Sequence, residues 1–538
     1  MKKGLIFTVM LVTVLALGYS QTTLSGTYRY STNAYVTFTG NAFKGLWNAT
    51  TLMSGTYSVS GARLTLNITD GPKAKNTWTW TITDANTLKD QDGDTWKKEG
   101  AGGTAQTRTT PAVEYNVNNM ATWIEAVGGV RSGGNNKAYV ITVTNAFSVP
   151  VSTGSTFGPV SGVTITIQGD GTLTPSGDGC LLILRAGQTV VLKGDITLRG
   201  RDDTFSSVVI INEKGAFRME DNSTVTSNYS SGVEVNGGTF TMSGGTISDN
   251  NIGVYFYGNN SRNTFTMSGG TISGNRSYGV SIKSGTFTMK GGAISGNRNS
   301  GVSVINWEGS PSIESIFLME GGTISDNTAD AGDDKGGGVY VGSYKDGLSG
   351  TFNMNGGTIS GNKAKYNGGG VYIGRGEFTM KGGTISDNTA TWTGGGVYIE
   401  SWSSFVMHDG TISGNTSSGN GGGVYNTGSY SGFTMSGGTI SGNTAISGGG
   451  VYVDYSFTMS GGTISGNISR DYGGGVYYAN GTFTKTGGTI SGNNATETDR
   501  NTANKQGYVV YNGRNENWRN ATAGPRINTD TYGFWLND

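Results

Sequence analysis

The sequence predicts an all-β protein in which a right-handed parallel β-helix follows a small antiparallel β-barrel. Two observations favour the β-helix. A G-T-I-S motif, once G-A-I-S, recurs ten times between residues 247 and 490 with a mean spacing of about 27 residues, which lies in the range of stacked repeats. An F-x-M segment precedes nearly every copy and a V-Y-V-like segment follows most of them, so each repeat supplies three short strands separated by glycine turns.

Residues 1–20 are predicted to be a signal peptide. Lys2 and Lys3 precede an apolar run from Leu5 to Leu17, and small residues follow before Gln21. The apolar run is shorter than the roughly 20 residues of a membrane-spanning helix. We therefore expect an extracellular protein, or one at the bacterial cell surface or outer membrane, without a membrane-spanning segment.

Residues 22–100 are predicted to form the small antiparallel barrel. Stretches such as GTYRYS, GTYSVS and NTWTWTITD alternate apolar and polar residues between Gly and Asp turns. The segment resembles the small lipocalin-like β-barrels of secreted bacterial proteins. That resemblance implies a cavity for a small apolar ligand, whereas a barrel of this size is normally filled by its own side chains.

Residues 101–112 have the Gly, Thr and Pro content of a linker, and the β-helix is expected over residues 113–538. The strands between residues 138 and 226 are irregular and are interpreted as its first, diverged coils. Residues 500–538 are expected to cap the last coil.

A short helix at about residues 118–128 is expected to cover the first coil. Asn118 or Asn119 can cap its N-terminus, and a lid is needed because a stacked sheet ends in apolar side chains and unpaired backbone groups. The apolar face of this helix is predicted to consist of Met120, Trp123, Ile124 and Val127.

Strand alternation predicts which side chains fill each coil. Phe and Met of F-x-M, Ile of G-T-I-S and both valines of V-Y-V point inward, while Thr and Tyr point outward. The Asn of the next S-G-N or S-D-N turn is expected to form a ladder, hydrogen-bonded to the turn and to the same amide one coil away; the alternative is an exposed turn former. The predicted ladder includes Asn362, Asn388, Asn415, Asn443, Asn467 and Asn493.

The repeat ISGNTAISGGGVY resembles the repeats of chlamydial-type polymorphic outer membrane proteins and related bacterial adhesin-like passengers, over roughly residues 230–510. Those repeats carry F-x-x-N followed by G-G-A-I. Ile440 to Asn443 and Gly449 to Val451 stand in these places, and GGAI itself occurs at Gly291 to Ile294. The resemblance implies a surface-exposed passenger with an adhesive or interaction role. Only a short tail follows the repeats, so a translocator barrel is not expected.

The charge balance argues against some partners. Lys plus Arg and Asp plus Glu are both 37, so no net field favours nucleic acid. The lone Cys180 lies in the apolar run GCLLILRAG and cannot pair within the chain. A buried small hydrophobe is the expectation for it, and a reactive thiol is the alternative.

An enzyme is the main alternative, because parallel β-helices of the pectin-lyase-like class include polysaccharide lyases and hydrolases. Such sites need clustered carboxylates on adjacent coils, often with Ca²⁺ and a basic residue. His408 lies at the edge of a turn, and the acidic runs at residues 201–203 and 333–334 are typical of solvated loops. We predict no catalytic residue, metal site or cofactor, and we keep a lyase or hydrolase site on coils 138–310 as the alternative.

Two outward columns are candidate binding surfaces. A tyrosine stripe can stack on sugars or bury at a partner interface, while plain stacking between coils is the alternative. The stripe comprises Tyr340, Tyr372, Tyr398, Tyr425, Tyr452 and Tyr477. A Thr-x-Thr pattern, first at Thr239 and Thr241, is typical of ice-binding β-helices and gives a minor alternative.

The sequence thus predicts a secreted or cell-surface scaffold that is not an enzyme. We expect it to bind host or cell-surface glycans or proteins, with the tyrosine stripe as the candidate glycan site, and to be a monomer.

Overall fold

The structure is a computed structural model of the chain, which divides into two compact units, Met1–Thr109 and Thr110–Asp538. In the first unit the structure describes residues 5–8, 26–39, 42–47, 51–60, 63–70, 77–84, 87–89 and 95–98. In the second it describes residues 112–535 except 153, 204, 258–262, 307–313, 331–334, 344–348, 493–494, 506–508, 514–516, 520–526 and 531–532.

The first unit is an antiparallel sheet whose described strands pair in sequence order, and the second and eighth strands also pair with each other. Tyr57, Leu64 and Leu66 are buried while Thr56 and Asn67 are exposed, which is the alternation of strands with one buried face. The first strand lies within the predicted signal peptide. The strands are Leu5–Thr8, Gly26–Thr39, Ala42–Trp47, Thr51–Ser60, Arg63–Asp70, Thr77–Asp84, Thr87–Lys89 and Thr95–Lys98.

The second unit is a parallel β-solenoid of about 14 turns, which confirms the predicted all-β, parallel β-helix class. We name the strands of a coil by their motifs and extend the names to the equivalent strands of the diverged coils. The F strand carries F-x-M, the I strand carries T-I-S, the A strand is a two-residue T-A segment, and the Y strand carries V-Y-V. Equivalent strands of successive coils pair in parallel.

The F and I strands belong to one continuous sheet. The F strands are Val113–Val117, Ala138–Val143, Val163–Gly169, Gln188–Leu192, Ala216–Met219, Thr239–Met242, Thr264–Met267, Gly285–Met289, Ser315–Met319, Gly350–Met354, Gly432–Met435, Ser456–Met459 and Thr482–Lys485. The I strands are Ala146–Val149, Thr172–Pro175, Thr197–Arg199, Thr224–Thr226, Thr246–Ser248, Thr271–Ser273, Ala293–Ser295, Thr323–Ser325, Thr358–Ser360, Thr439–Ser441, Thr463–Ser465 and Thr489–Ile490. In two coils a single strand spans both positions, Gly376–Ser386 and Ser404–Ser413.

The A and Y strands complete the coil. The A strands are Thr328–Ala329, Lys363–Ala364, Thr389–Ala390, Thr416–Ser417, Thr444–Ala445, Ile468–Ser469 and Thr502–Ala503. The Y strands are Leu182–Leu184, Val209–Asn212, Ser231–Asn236, Ile252–Phe256, Val280–Ile282, Val302–Asn306, Val339–Ser343, Val371–Gly374, Val397–Ile399, Val424–Asn426, Val451–Val453, Val476–Tyr478 and Val510–Asn512.

The core consists of columns of like residues stacked coil upon coil. Phe405 pairs with Phe378 on one side and Phe433 on the other. Its ring lies 4.6 Å from that of Phe378 and 4.9 Å from that of Phe433, with interplanar angles of 3° and 6°. The Met, Ile and Val columns are buried in the same register. Apolar burial of this kind is the main stabilising term for a glycine-rich chain.

The coil has a fourth strand position that the three-strand prediction missed. The A strands follow the asparagine turns and pair into their own sheet. Their second residue is buried, as at Ala364 and Ala390. Because a two-residue strand is too short for alternation to be visible in sequence, the motif analysis could not separate it from the turn.

The helix lies between the first two F strands and spans Met120–Gly133, so it is longer than predicted. Asn119 caps it by accepting a hydrogen bond from the Thr122 backbone N–H at 3.1 Å. Its buried residues are Trp123, Ala126, Val127 and Val130. The predicted apolar face is therefore wrong in part, because Met120 and Ile124 are exposed.

Antiparallel strands end two sheets of the stack. Ile527–Asp530 pairs with the last F strand, and Asn517–Arg519 pairs with the last Y strand. The stack itself runs into the predicted cap, since Thr502–Ala503 and Val510–Asn512 still pair in parallel with the coil before.

Candidate functional site

An internal ladder of asparagine side chains runs along the solenoid at the turn after each I strand. Asn415 is typical of its fully buried members. Its Nδ2 donates to Oδ1 of Asn443 and to the carbonyl oxygen of Ile385, both at 2.9 Å. Its Oδ1 accepts from the backbone N–H and from Nδ2 of Asn388, at 3.0 and 2.9 Å. Each amide thus satisfies polar groups of two coils.

The ladder contains the predicted Asn362, Asn388, Asn415, Asn443 and Asn467. Asn493 lies outside the described residues. The partner of Asn467 is Asn501, whose Oδ1 accepts from N and Nδ2 of Asn467 at 2.9 Å. Sequence reasoning missed Asn501 because it lies outside the S-G-N motif. The ladder is architectural, since its polar groups face only one another and the backbone.

The tyrosine stripe forms a stacked column on the outer face of the Y strands. All six predicted tyrosines are in register, and Tyr511 continues the column. From Tyr372 to Tyr477 neighbouring ring centroids are 4.8–5.4 Å apart, with interplanar angles of 7–19°. Tyr340 meets Tyr372 edge to face.

This stacking determines which parts of the tyrosine side chains solvent can reach. Neighbouring rings cover one another's faces, and Tyr372 and Tyr398 are buried. Burial raises the pKa of both phenols, and the Tyr372 hydroxyl also contacts Glu400 and the Lys335 ammonium group. The ring faces of the column are therefore covered by neighbouring rings rather than open to solvent. A binding role for the tyrosine stripe stays a prediction.

A second aromatic column, which we call the corner stripe, comprises Trp402, Tyr430 and Tyr455. It lies where the chain leaves one Y strand and enters the next F strand. These residues are 60, 66 and 37% exposed. Trp402 and Tyr430 stack at 4.3 Å between centroids with a 21° angle, and Tyr455 follows at 6.2 Å with a 44° tilt.

The backbone of the corner stripe is in an uncommon conformation. Trp402 has φ 61° and Tyr430 has φ 59°, a region that favours Gly and Asn and that bulky residues rarely adopt. The residues that follow hold the corner from inside. Ser403 Oγ donates to the Ile373 carbonyl at 3.2 Å, and Ser431 Oγ donates to Asn426 Oδ1 at 2.5 Å. Strain of this kind concentrates at functional sites.

Sequence reasoning missed the corner stripe. The Y-to-F turns differ in length and sequence, so Trp402, Tyr430 and Tyr455 share no motif position. One signal could have found them: each is an aromatic residue directly before or after serine, two or three residues ahead of an F-strand phenylalanine.

The irregular coils proposed for an enzyme site contain the half-buried carboxyl group of Glu234. Glu234 lies on the outer face of the Y strand Ser231–Asn236 and accepts a hydrogen bond from Ser207 Oγ at 2.9 Å. Burial raises the pKa of Glu234 above its usual 4.5. About 30 residues earlier in the chain, Arg201 forms an ion pair with Asp203 at the surface. The described residues contain no group of three or more His, Cys, Asp or Glu arranged to hold a metal ion.

Cys180 is expected to be chemically inert in the folded protein. It is buried, and burial first, then the nearby Glu234 and Asp178 charges, raise the pKa of its thiol to about 12. Because the thiolate is the reactive form, its population at about pH 8 falls roughly a thousandfold below that of an exposed cysteine. Ellman's reagent should label it completely in concentrated guanidinium chloride and barely in buffer. Equal labelling rates would contradict this burial.

The other candidates from sequence are isolated. His408 is exposed within the strand Ser404–Ser413, and its Nδ1 lies 2.9 Å from Ser436 Oγ. The threonine pattern continues in register from Thr239 through Thr264 to Thr286, and Ile316 then replaces threonine.

Comparison with known proteins gives no relative: no protein family, curated protein or solved structure matches this chain. Across the described parts of the chain, every helix is too short or too polar to cross a membrane.

Proposed function

We propose that this chain is a secreted or cell-surface scaffold that recognises a partner through the outside of its β-solenoid, without catalysis. The observation that carries the proposal is the corner stripe, where three exposed aromatic side chains are fixed on a solenoid whose interior is already filled. Large aromatic side chains on the surface are typical of binding sites because they bury much area with few rotatable bonds.

The sequence adds support for this role. The predicted signal peptide indicates export, and the resemblance to polymorphic outer membrane protein repeats implies an adhesive passenger on the bacterial surface. The lipocalin-like character of residues 22–100 belongs to the same proposal, with that unit as a filled appendage.

Binding of the purified full chain to whole cells tests this proposal. We expect saturable binding of the fluorescently labelled protein to host or bacterial cells, with unlabelled protein as the competitor. A β-solenoid lacking exposed aromatic columns serves as the negative control. Binding that does not exceed this control would overturn the proposal.

A carbohydrate-active enzyme is the second candidate, because Glu234 has the raised pKa of a general acid. Incubation with pectin, alginate and xylan, followed by chain-length analysis, separates the two candidates. The scaffold proposal expects no shortening. Turnover that Glu234→Gln abolishes would favour the enzyme instead.

A further inference from the structure

We infer that the corner stripe, Trp402 with Tyr430 and Tyr455, is a binding site for a neutral oligosaccharide. This inference rests on the proposed function and names the class of ligand. It moves the recognition site away from the stacked tyrosine column to the adjoining corner of the coil.

The first argument is the state of the rings. In the tyrosine column the rings from Tyr398 to Tyr477 are each stacked between two neighbours, whereas in the corner stripe the stacking is incomplete. Among the described residues Trp402 stacks on Tyr430 alone, and the 44° tilt of Tyr455 leaves a wedge between its ring and that of Tyr430. Exposures of 60 and 66% at Trp402 and Tyr430 show that much of each ring contacts water. The apolar C–H face of a pyranose packs on ring surface of this kind.

The second argument is the cost of the arrangement. Three successive coils place a left-handed residue at this corner, namely Arg375, Trp402 and Tyr430, and glycine would adopt that conformation without strain. Trp402 and Tyr430 occupy that conformation in adjacent coils and place large apolar side chains in water. Neither choice is explained by packing of the core, which lies on the other side of the chain. A ligand that covers the rings explains both.

The third argument is the chemistry around the rings. The exposed neighbours Ser404 and Ser429 carry neutral hydroxyl groups, which complement the hydroxyl groups of a sugar. Three charged residues follow the flanking Y strands: the carboxylates Glu400 and Asp454, and Arg375 at the same corner one coil before the corner stripe. The two carboxylates leave a net negative charge, which disfavours an acidic ligand. A protein partner would need an apolar interface core within roughly 1,600 Å² of buried surface. Here three rings stand among serine, glycine and threonine.

The length of the stripe favours an oligosaccharide over a single sugar. The three rings come from three successive coils, and neighbouring coils are about 4.8 Å apart along the axis. The stripe therefore extends over two coil steps, and we place the sugar chain along the solenoid axis.

The experiment is a titration of the full chain with neutral hexasaccharides, namely cellohexaose, mannohexaose and chitohexaose, followed by calorimetry and tryptophan fluorescence. Hexagalacturonic acid is the acidic probe. We expect at least one neutral probe to bind with a shift in tryptophan emission, and the acidic probe to bind at least tenfold more weakly. Failure of all neutral probes to bind, or preference for the acidic one, would overturn the inference.

Glycine variants separate binding from folding. Trp402→Gly and Tyr430→Gly relieve the left-handed strain, so their thermal midpoints should equal or exceed that of the unmodified protein while affinity falls at least tenfold. Trp392→Ala is the matched control, because Trp392 is 57% exposed in the turn that precedes the Y strand Val397–Ile399, on the far side of that strand from Trp402 in sequence. Its affinity should stay within twofold. An equal loss in Trp392→Ala would overturn the assignment to the corner stripe.

The same variants distinguish this inference from the proposed function. If Trp402→Gly and Tyr430→Gly keep full binding to whole cells, the scaffold function stands and the corner stripe is not its glycan site. If the hexasaccharides bind at the corner stripe but the unmodified protein binds no cells, the oligosaccharide site stands and the adhesive role fails. A protein-coated surface that binds the chain where sugars do not would indicate a protein partner and overturn the inference.

Discussion

Asn415→Ala is expected to destabilise the solenoid by about 3–5 kcal/mol, because a single deletion leaves buried polar groups of two coils without partners. The backbone N–H of Asn388 loses its acceptor at 3.0 Å, and the Ile385 carbonyl loses its donor at 2.9 Å. The amide groups of Asn388 and Asn443 each lose one ladder bond. Water cannot easily replace these bonds, since every member of the ladder around Asn415 is fully buried.

Chemical denaturation monitored by circular dichroism measures this loss, and hydrogen exchange locates it. Because coils of a solenoid contact mainly their neighbours, amide protection should fall first in the coils next to Asn415. Asn251→Ala is the matched control, since Asn251 is exposed beside the ladder residue Asn250; its effect should stay within about 0.5 kcal/mol. Similar effects of the two variants would mean that the ladder adds nothing beyond a turn.

Most of the coil could be predicted because every coil repeats the same packing and hydrogen-bonding requirements. A column such as Phe378, Phe405 and Phe433 appears in sequence at the same motif position each time, and parallel pairing then places like on like. The inward asparagine could be predicted for the same reason. The same buried backbone groups need a hydrogen-bond partner at every turn, so the same residue recurs there.

The parts that could not be predicted depend on contacts outside the motif. Asn501 enters the ladder from a longer final coil. The buried helix residues Trp123, Ala126, Val127 and Val130 follow the i, i+3, i+4, i+7 spacing, so the error in the predicted face came from ending the helix too early. The corner stripe was missed for another reason. Its position is defined by a backbone corner rather than by a strand, so the strand motifs do not mark it, and the adjacent serine and the following F-strand phenylalanine are its local signal. Functional features are expected where local rules are broken.

Phe405→Ala is the other substitution with a large expected effect, about 3–5 kcal/mol. The Phe405 side chain is fully buried between two parallel rings, so alanine leaves a cavity and removes two stacking contacts. The neighbouring coils cannot collapse into the gap, because backbone pairing fixes their separation along the axis. Chemical denaturation of the full chain measures the loss.

Two further variants show whether stability depends on stacking of the phenylalanine rings or only on burial of an apolar side chain. Phe405→Leu keeps most of the volume and loses the ring contacts, so it should cost less than half as much as alanine. Phe205→Ala removes the same side chain from an exposed loop, where Phe205 meets Tyr229 edge to face, and should cost less than about 1 kcal/mol. If Phe405→Ala were no worse than Phe205→Ala, ring-on-ring packing would not be what holds successive coils together. The stability of the solenoid would then have to come from its backbone pairing and its asparagine ladder instead.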